Sequence, residues 1–297
     1  MIQVFGHLHP DSDAVCTAVV AAHWLTHNGR EARAWRIGEL NKETQFIFQR
    51  ANLTPPALLD MALNDCDVWL VDFTEPAQGP QSLLESNIVG IIDHHRLGGL
   101  MTRLPPEVWI KPVGSSATVL WQLMKPETLS VGHAVLMLGA ILSDTVALRS
   151  PTTTDDDRRA VDALVAIAGI DLAEFTHALL AAKTDITGMS AEALLNKDIK
   201  AFTLGGKVVH IAQLELYSRT QVDAVLPELL AAMDALVART GAGLGVLMLT
   251  EISENGSMLY FSGSALVDAE PCHVPGMLSR KKQMLPWLDE RLRAESA

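Results

Sequence analysis

Short apolar runs of four or five residues, each closed by an acidic or histidine-bearing motif, alternate with helical stretches through the first half of this chain. Residues 2–5 lead into His7-Leu8-His9-Pro10-Asp11-Ser12-Asp13, residues 68–71 end at Asp72, and residues 88–92 end at Asp93-His94-His95. Runs of this length alternating with helices read as βαβ units, and hence as a parallel sheet. In an open sheet of that kind the loops after the strand carboxyl ends converge on one crevice. A fourth motif, Ser143-Asp144-Thr145, follows a longer apolar stretch that reads as helix as readily as strand. His7, Asp11, Asp13, Asp72, His94 and Asp144 are therefore expected to meet at one point. Imidazoles mixed with carboxylates suit manganese or cobalt better than soft metals, and six such groups are enough for two ions.

The remaining pattern extends this α/β reading. Helices are expected over residues 14–27, 44–51, 131–142 and 172–183, with a second strand over 32–37. Gly114-Ser115-Ser116-Ala117-Thr118 opens a helix with a serine cap, and Pro151-Thr152-Thr153-Thr154-Asp155 caps the next, through residue 168. Thr184 to Glu192 is polar, carries Gly188 and interrupts the apolar pattern, which divides the chain into domains 1–187 and 188–297. The second domain reads as strands 208–214, 245–252 and 258–262 with helices 223–240 and 286–293.

Composition narrows the function classes. A net charge of −12 argues against general binding to nucleic acid, which needs a basic face, although bound cations would reverse the local field for a small anion. No apolar run approaches the ~20 residues of a membrane span, and Met1 leads directly into a strand, so a cytoplasmic protein is expected. Cys16, Cys66 and Cys272 are widely spaced without a CxxC pair, which reads as free thiols rather than a zinc site.

The motifs together resemble one family. The opening Gly6-His7-Leu8-His9-Pro10-Asp11-Ser12-Asp13, the triplet Asp93-His94-His95, Pro112-Val113-Gly114-Ser115-Ser116, Ser143-Asp144-Thr145 and the terminal Ser279-Arg280-Lys281-Lys282-Gln283 resemble the family II, manganese-dependent inorganic pyrophosphatases of the DHH phosphoesterase superfamily. The resemblance implies a parallel-sheet DHH domain followed by a smaller α/β domain of the DHHA2 type. It implies one metal on His7, Asp11 and Asp72, and another on Asp13, Asp72, His94 and Asp144, with Asp72 bridging. His95 then faces the substrate, and Lys200, Arg280 and Lys281 form a phosphate clamp that closes from the second domain. It also implies a homodimer, pyrophosphate as substrate and a further magnesium arriving with it.

The chemistry explains why such a reaction needs these residue types. Two cations a few ångströms apart neutralise a highly charged anion and hold a shared water whose pKa falls toward neutrality, so that a metal-bridged hydroxide attacks. Arg280 suits bidentate contact with a phosphoryl group, whereas Lys200 and Lys281 act as point charges. Read alone, Asp11 and Asp13 fit helix-start acids better than ligands, Asp144 is equally a cap, and Lys200 and the run from Arg280 to Lys282 read first as a solvated face. The chain departs from the family at His9, where Asn is usual, and at Phe73-Thr74, where His-Asn is common. His9 is expected to add or compete as a ligand, and Phe73 to change what holds Asp72. The rival reading is an exopolyphosphatase or another DHH phosphoesterase acting on a longer phosphate chain; a third is a metal-dependent anion sensor.

Overall fold

A computed structural model describes residues 1–125, 128–266 and 270–295, with the side chains of residues 281, 282 and 295 outside that description. The chain divides into two compact units, Met1–Lys183 and Thr184–Ala297.

In the first unit the order is β1 (Ile2–Phe5), α1 (Ser12–His27), β2 (Ala32–Ala34), α2 (Lys42–Ala51), β3 (Asp67–Val71), β4 (Asn87–Asp93), β5 (Glu107–Ile110), α3 (Ser116–Leu123), α4 (Val131–Asp144), α5 (Asp155–Ala168) and α6 (Leu172–Lys183). The strands lie in the order β2-β1-β3-β4-β5, all parallel. After β1 the chain steps to β2 on one side and then crosses to β3 on the other. That reversal opens a crevice at the carboxyl ends of β1 and β3, the place where open α/β sheets bind ligands. The motifs after β1, β3 and β4 all emerge at this end.

Both sheet faces are covered, so the strands are nearly continuous apolar runs. On one face Val4, Trp69, Val71 and Ile92 pack beneath α1, α3 and α4. On the other, Phe5, Leu70, Phe73 and Ile91 pack with Leu63, Leu83 and Trp35. Helix α4 is buried on every side from Ala134 to Ser143, which is why its sequence lacks a polar stripe. Between β3 and β4 the backbone of Gly90 is pressed against the Trp69 ring, where an added Cβ would stand 2.2 Å from the indole.

Two expectations change here. β2 stops at Ala34 rather than continuing to residue 37, because Arg36 leaves the ladder to make an isolated bridge with Leu58. The edge strand β5 was not expected, since its four residues are exposed or half-buried and its apolar run, Val108-Trp109-Ile110, is only three residues long.

The second unit contains α7 (Ala191–Lys197), β6 (Ile199–Leu204), β7 (Lys207–Leu216), α8 (Leu226–Thr240), β8 (Leu244–Glu251), β9 (Gly256–Ser262), β10 (Cys272–Pro275) and α9 (Leu285–Glu295). Its sheet has the order β10-β9-β8-β7-β6 and is antiparallel except for β7 and β8, which run parallel with α8 as their crossover. One face packs on α7 and α8 through Leu214, Leu247, Leu195 and Met233. The other packs on α9 through Ile211, Val246, Leu288 and Leu292. Helix α8 starts at Leu226, not 223, with proline in its first turn. α7, β6 and β10 escape the sequence pattern because each is short and partly exposed. No single described helix is long and apolar enough to cross a membrane.

Candidate metal centre

The site is assembled from five chain segments at the carboxyl edge of the first sheet. Asp11 is the N-cap of α1, with its Oδ1 accepting from the Ala14 amide at 2.9 Å, while its Oδ2 stands 3.5 Å from His7 Nε2. The helix-start reading of Asp11 is thus met by one oxygen, which leaves the other turned toward His7. Asp72, just past β3, lies in the left-handed region at φ 69 and is 2 % exposed. Asp and Asn tolerate that region better than other side-chain-bearing residues. Its Oδ2 lies 3.4 Å from His7 Nε2 and its Oδ1 lies 3.3 Å from His94 Nε2, so the two oxygens serve opposite sides of the site.

Both histidines are oriented from behind. His7 Nδ1 donates to the Leu8 carbonyl at 2.8 Å, and His94 Nδ1 donates to the Val113 carbonyl at 3.0 Å. A carbonyl can only accept, so each ring presents Nε2 to the carboxylates. His94 Nε2 is buried without a hydrogen-bond partner, 3.3 Å from Asp72 Oδ1, 3.5 Å from Asp144 Oδ2 and 4.0 Å from Asp13 Oδ2. A lone pair facing three carboxylates needs a proton or a cation between them. Asp144 arrives as the last residue of α4, so one corner of the site comes from a helix end rather than a strand end.

Among the described residues, Asp13, Asp72, His94 and Asp144 form one group with ligand atoms within 4.8 Å of one another, and His7, Asp11 and Asp72 form a second. Asp72 belongs to both. Two imidazoles and four carboxylates suit a pair of borderline-hard divalent ions, and the orphaned His94 nitrogen is the kind of vacancy such an ion fills. A third combination, Asp72 with His94 and His95, also meets the distance criterion.

Without an ion, protons take the strain. Burial opposes charge on His7, but Asp11 and Asp72 outweigh it and push the imidazole up to about 11. Burial likewise opposes His94, and Asp72 and Asp13 push it up to about 9. Burial would raise Asp72, yet His7 and His94 hold it well below the usual carboxylate range. Burial and the neighbouring Asp72 push Asp13 up to about 7, against four donors that favour its charge: Thr17 Oγ1, Ser115 Oγ, Ser116 N and Ala117 N, at 2.6–3.1 Å. Burial and Asp13 raise Asp144. Asp13 and Asp144 are thus pushed toward their protonated forms, while Asp72 is held charged between the two imidazoles.

His95 is 55 % exposed at its side chain, and its Nδ1 sits 2.9 Å from Asp93 Oδ1. Asp93 is itself fully buried and accepts from the amides of His94 and His95, so it ties the triplet into its turn and joins none of the donor groups. Of the two departures, His9 is exposed with φ 52 and also joins none of those groups. Phe73 is fully buried, 6.4 Å from the Phe5 ring. Thr74 accepts from the Gly98 amide at 2.8 Å and donates to the Arg96 carbonyl at 3.2 Å, holding the loop after the triplet. A crevice of about 160 Å³ beside the centre is lined by His7, Asp11, Asp72, Thr74, His95 and Arg96 among others.

Sequence reasoning read the serine loop as a cap alone. Ser115 does cap α3, but its hydroxyl also donates to Asp13, and Ser116 Oγ donates to Asp72 Oδ1 at 2.8 Å. It also passed over Glu43, a buried carboxylate that accepts from Ser12 and Ser143, the neighbours of three of these acids.

In the second unit Lys200 is exposed on β6, in register with Ile211. Arg280 is buried: it donates to the carbonyls of Asp198 and Ile211 and pairs with Asp198 Oδ1 at 2.7 Å. The side chain of Lys281 lies outside the described residues.

Comparison with known proteins agrees across the whole length. Residues 1–144 match the DHH family N-terminal domain, and residues 177–291 match the DHHA2 domain. A Deinococcus radiodurans protein named as a probable manganese-dependent inorganic pyrophosphatase is 38 % identical, with 100 % of both chains covered. A relative of the same name from Lactobacillus delbrueckii subsp. bulgaricus is 34 % identical over 98 % of each chain. Among solved structures, a Methanococcus jannaschii protein assigned to the family II inorganic pyrophosphatases superposes with a TM-score of 0.66 at 32 % identity, over 98 % of this chain and 100 % of that one.

Proposed function

The chain belongs to the family of manganese-dependent inorganic pyrophosphatases, DHH proteins with a DHHA2 domain, and from that membership we propose that it hydrolyses inorganic pyrophosphate to two phosphates. The observation that carries the reading is the pair of donor groups sharing Asp72. In this reading His7, Asp11 and Asp72 hold one manganese, and Asp13, Asp72, His94 and Asp144 hold the other; cobalt suits the same donors, and magnesium accompanies the substrate. When bound, a pair of divalent cations neutralises the anion's charge and acidifies water at the site.

The chain's own groups do the rest. The Leu8 and Val113 carbonyls keep both imidazoles turned inward. Ser116 holds one Asp72 oxygen while the carboxylate spans both groups. His95, anchored through Nδ1 on Asp93, is the substrate-facing group that donates to the leaving phosphate. Lys200, Arg280 and Lys281 supply positive charge to the phosphoryl oxygens, where fixed charge favours the transition state. The domain assignment is a catalytic metal-binding domain over 1–187 and a substrate-binding domain over 188–297. We further propose a cytoplasmic homodimer; the three cysteines are free thiols, which suits a reducing compartment.

The test is phosphate release by chelator-treated, manganese-reloaded protein on pyrophosphate, tripolyphosphate and long polyphosphate. The expected result is strong preference for pyrophosphate. Preference for the longer chains would move the protein to the polyphosphatase reading, and no release despite bound manganese would make it a sensor.

A further inference from the structure

Asp157 is a fully buried carboxylate that the reaction does not use. It stands at the third position of α5 and forms a capping box with Thr154, accepting from the Thr154 amide and hydroxyl, each at 2.7 Å. A capping box needs no more than that. Here the same carboxylate also reaches 43 residues back along the chain, accepting from the Gly114 amide at 2.9 and 3.0 Å. It takes the Thr118 hydroxyl as well, at 2.6 Å. The approach demands glycine: a Cβ on Gly114 would stand 2.8 Å from Asp157 Oδ2 and 2.5 Å from Thr145 Cγ2.

The two points that Asp157 grips bracket the three residues that orient the candidate ligands. Ser115 Oγ, Ser116 N and Ala117 N reach Asp13 at 2.6–3.1 Å, and Ser116 Oγ reaches Asp72. We propose that Asp157 is a positioning residue for the metal centre. By clamping Gly114 and Thr118 it fixes the loop that aims Asp13 and Asp72, and so sets affinity for the metal rather than for the substrate. This inference rests on the metal reading of those carboxylates. Partners behind a metal ligand typically change affinity by 10–100-fold, and a clamp one step further back acts through the same bonds.

The experiment measures manganese binding to chelator-treated protein by titration calorimetry, beside thermal unfolding and the KM for pyrophosphate at saturating manganese. Asp157→Asn keeps the shape of the side chain but offers an amide to the donors around it, and is expected to weaken manganese about 10-fold or more while KM stays within about twofold. Thr154→Ala removes the cap without touching Gly114. It is expected to lower Tm by a few degrees, as a lost cap does, with manganese affinity unchanged. Thr118→Val, which removes one clamp bond and keeps the volume, is expected to weaken manganese at least about threefold, and it decides the matter if Asp157→Asn does not fold. Folded Asp157→Asn and Thr118→Val proteins that bind manganese like wild type, or a Thr154→Ala protein that loses affinity in parallel with its stability, would overturn the proposal. Wild-type protein that takes up no manganese would overturn the metal reading itself, and this inference with it.

Discussion

At His94 the direction of one hydrogen bond decides what the ring can do on its other side. Because Nδ1 must donate to the Val113 carbonyl, Nε2 is committed to whatever lies among Asp72, Asp144 and Asp13. The same logic applies to Asp72, whose two oxygens are divided between two histidines. Asp72→Asn is the informative substitution, since Asn also tolerates a φ of 69 and changes one anionic oxygen into an amide nitrogen with little change of shape. We expect activity to fall more than about 100-fold, beyond the usual cost of disturbing a ligand's support, and bound manganese to drop below that of wild type; metal analysis with unchanged content and rate would refute the bridging role. At this scale the sequence was legible where a residue type has few alternatives. His7, His94 and the acids beside them declared themselves by sitting at strand ends. Ser116 and Asp157 did not, because a serine or an aspartate at a helix start is fully accounted for by capping, and their second partners come from distant parts of the chain.

Between elements, close approach and burial set the tolerances. Gly90 lets β4 lie against Trp69 of β3, and Gly90→Ala is expected to cost about 1–3 kcal/mol through overpacking, read as a lower midpoint in urea. The contact of α1 with α4 carries a pH dependence. His133 on α4 packs against the His23 ring with centroids 4.2 Å apart, and burial, reinforced by His23, pushes its pKa down to about 4 from an ordinary 6.5. The folded state therefore binds this proton more weakly than the unfolded state. Its contribution to stability is complete above pH 6.5 and is lost as pH falls from 6.5 toward 4. Tm measured across that window should fall further for wild type than for His133→Gln; parallel curves would contradict the shift. Long, capped elements such as α5 and α6 could be read from periodicity, and α6 begins and ends where the pattern does. β5, β6, β10 and α7 could not, because short half-exposed segments acquire their identity from the neighbours they pair with.

Over the whole molecule the proposed function divides chemical labour between the two units by charge. The donor groups described in the first unit are anionic carboxylates with imidazoles, whereas the candidate phosphate contacts of the second are cations. Arg280→Ala is accordingly expected to leave manganese content unchanged and to lower kcat/KM for pyrophosphate at least about tenfold, the loss of a charge-assisted contact of about 1.5–3 kcal/mol; metal analysis showing depleted manganese would contradict that division. Because Arg280 is bonded to Asp198, its sequence context could not reveal its present partner. The centre itself draws on residues from His7 to Asp144, that is, on every strand-end motif and on the end of α4. During synthesis, at roughly 5–20 residues per second, the first of these groups leaves the ribosome on the order of ten seconds before the last. No nascent chain that ends before Asp144 can hold the full donor set, so an ion bound by all six groups would have to wait for the end of α4, while α5 and α6 of the same unit are still to follow.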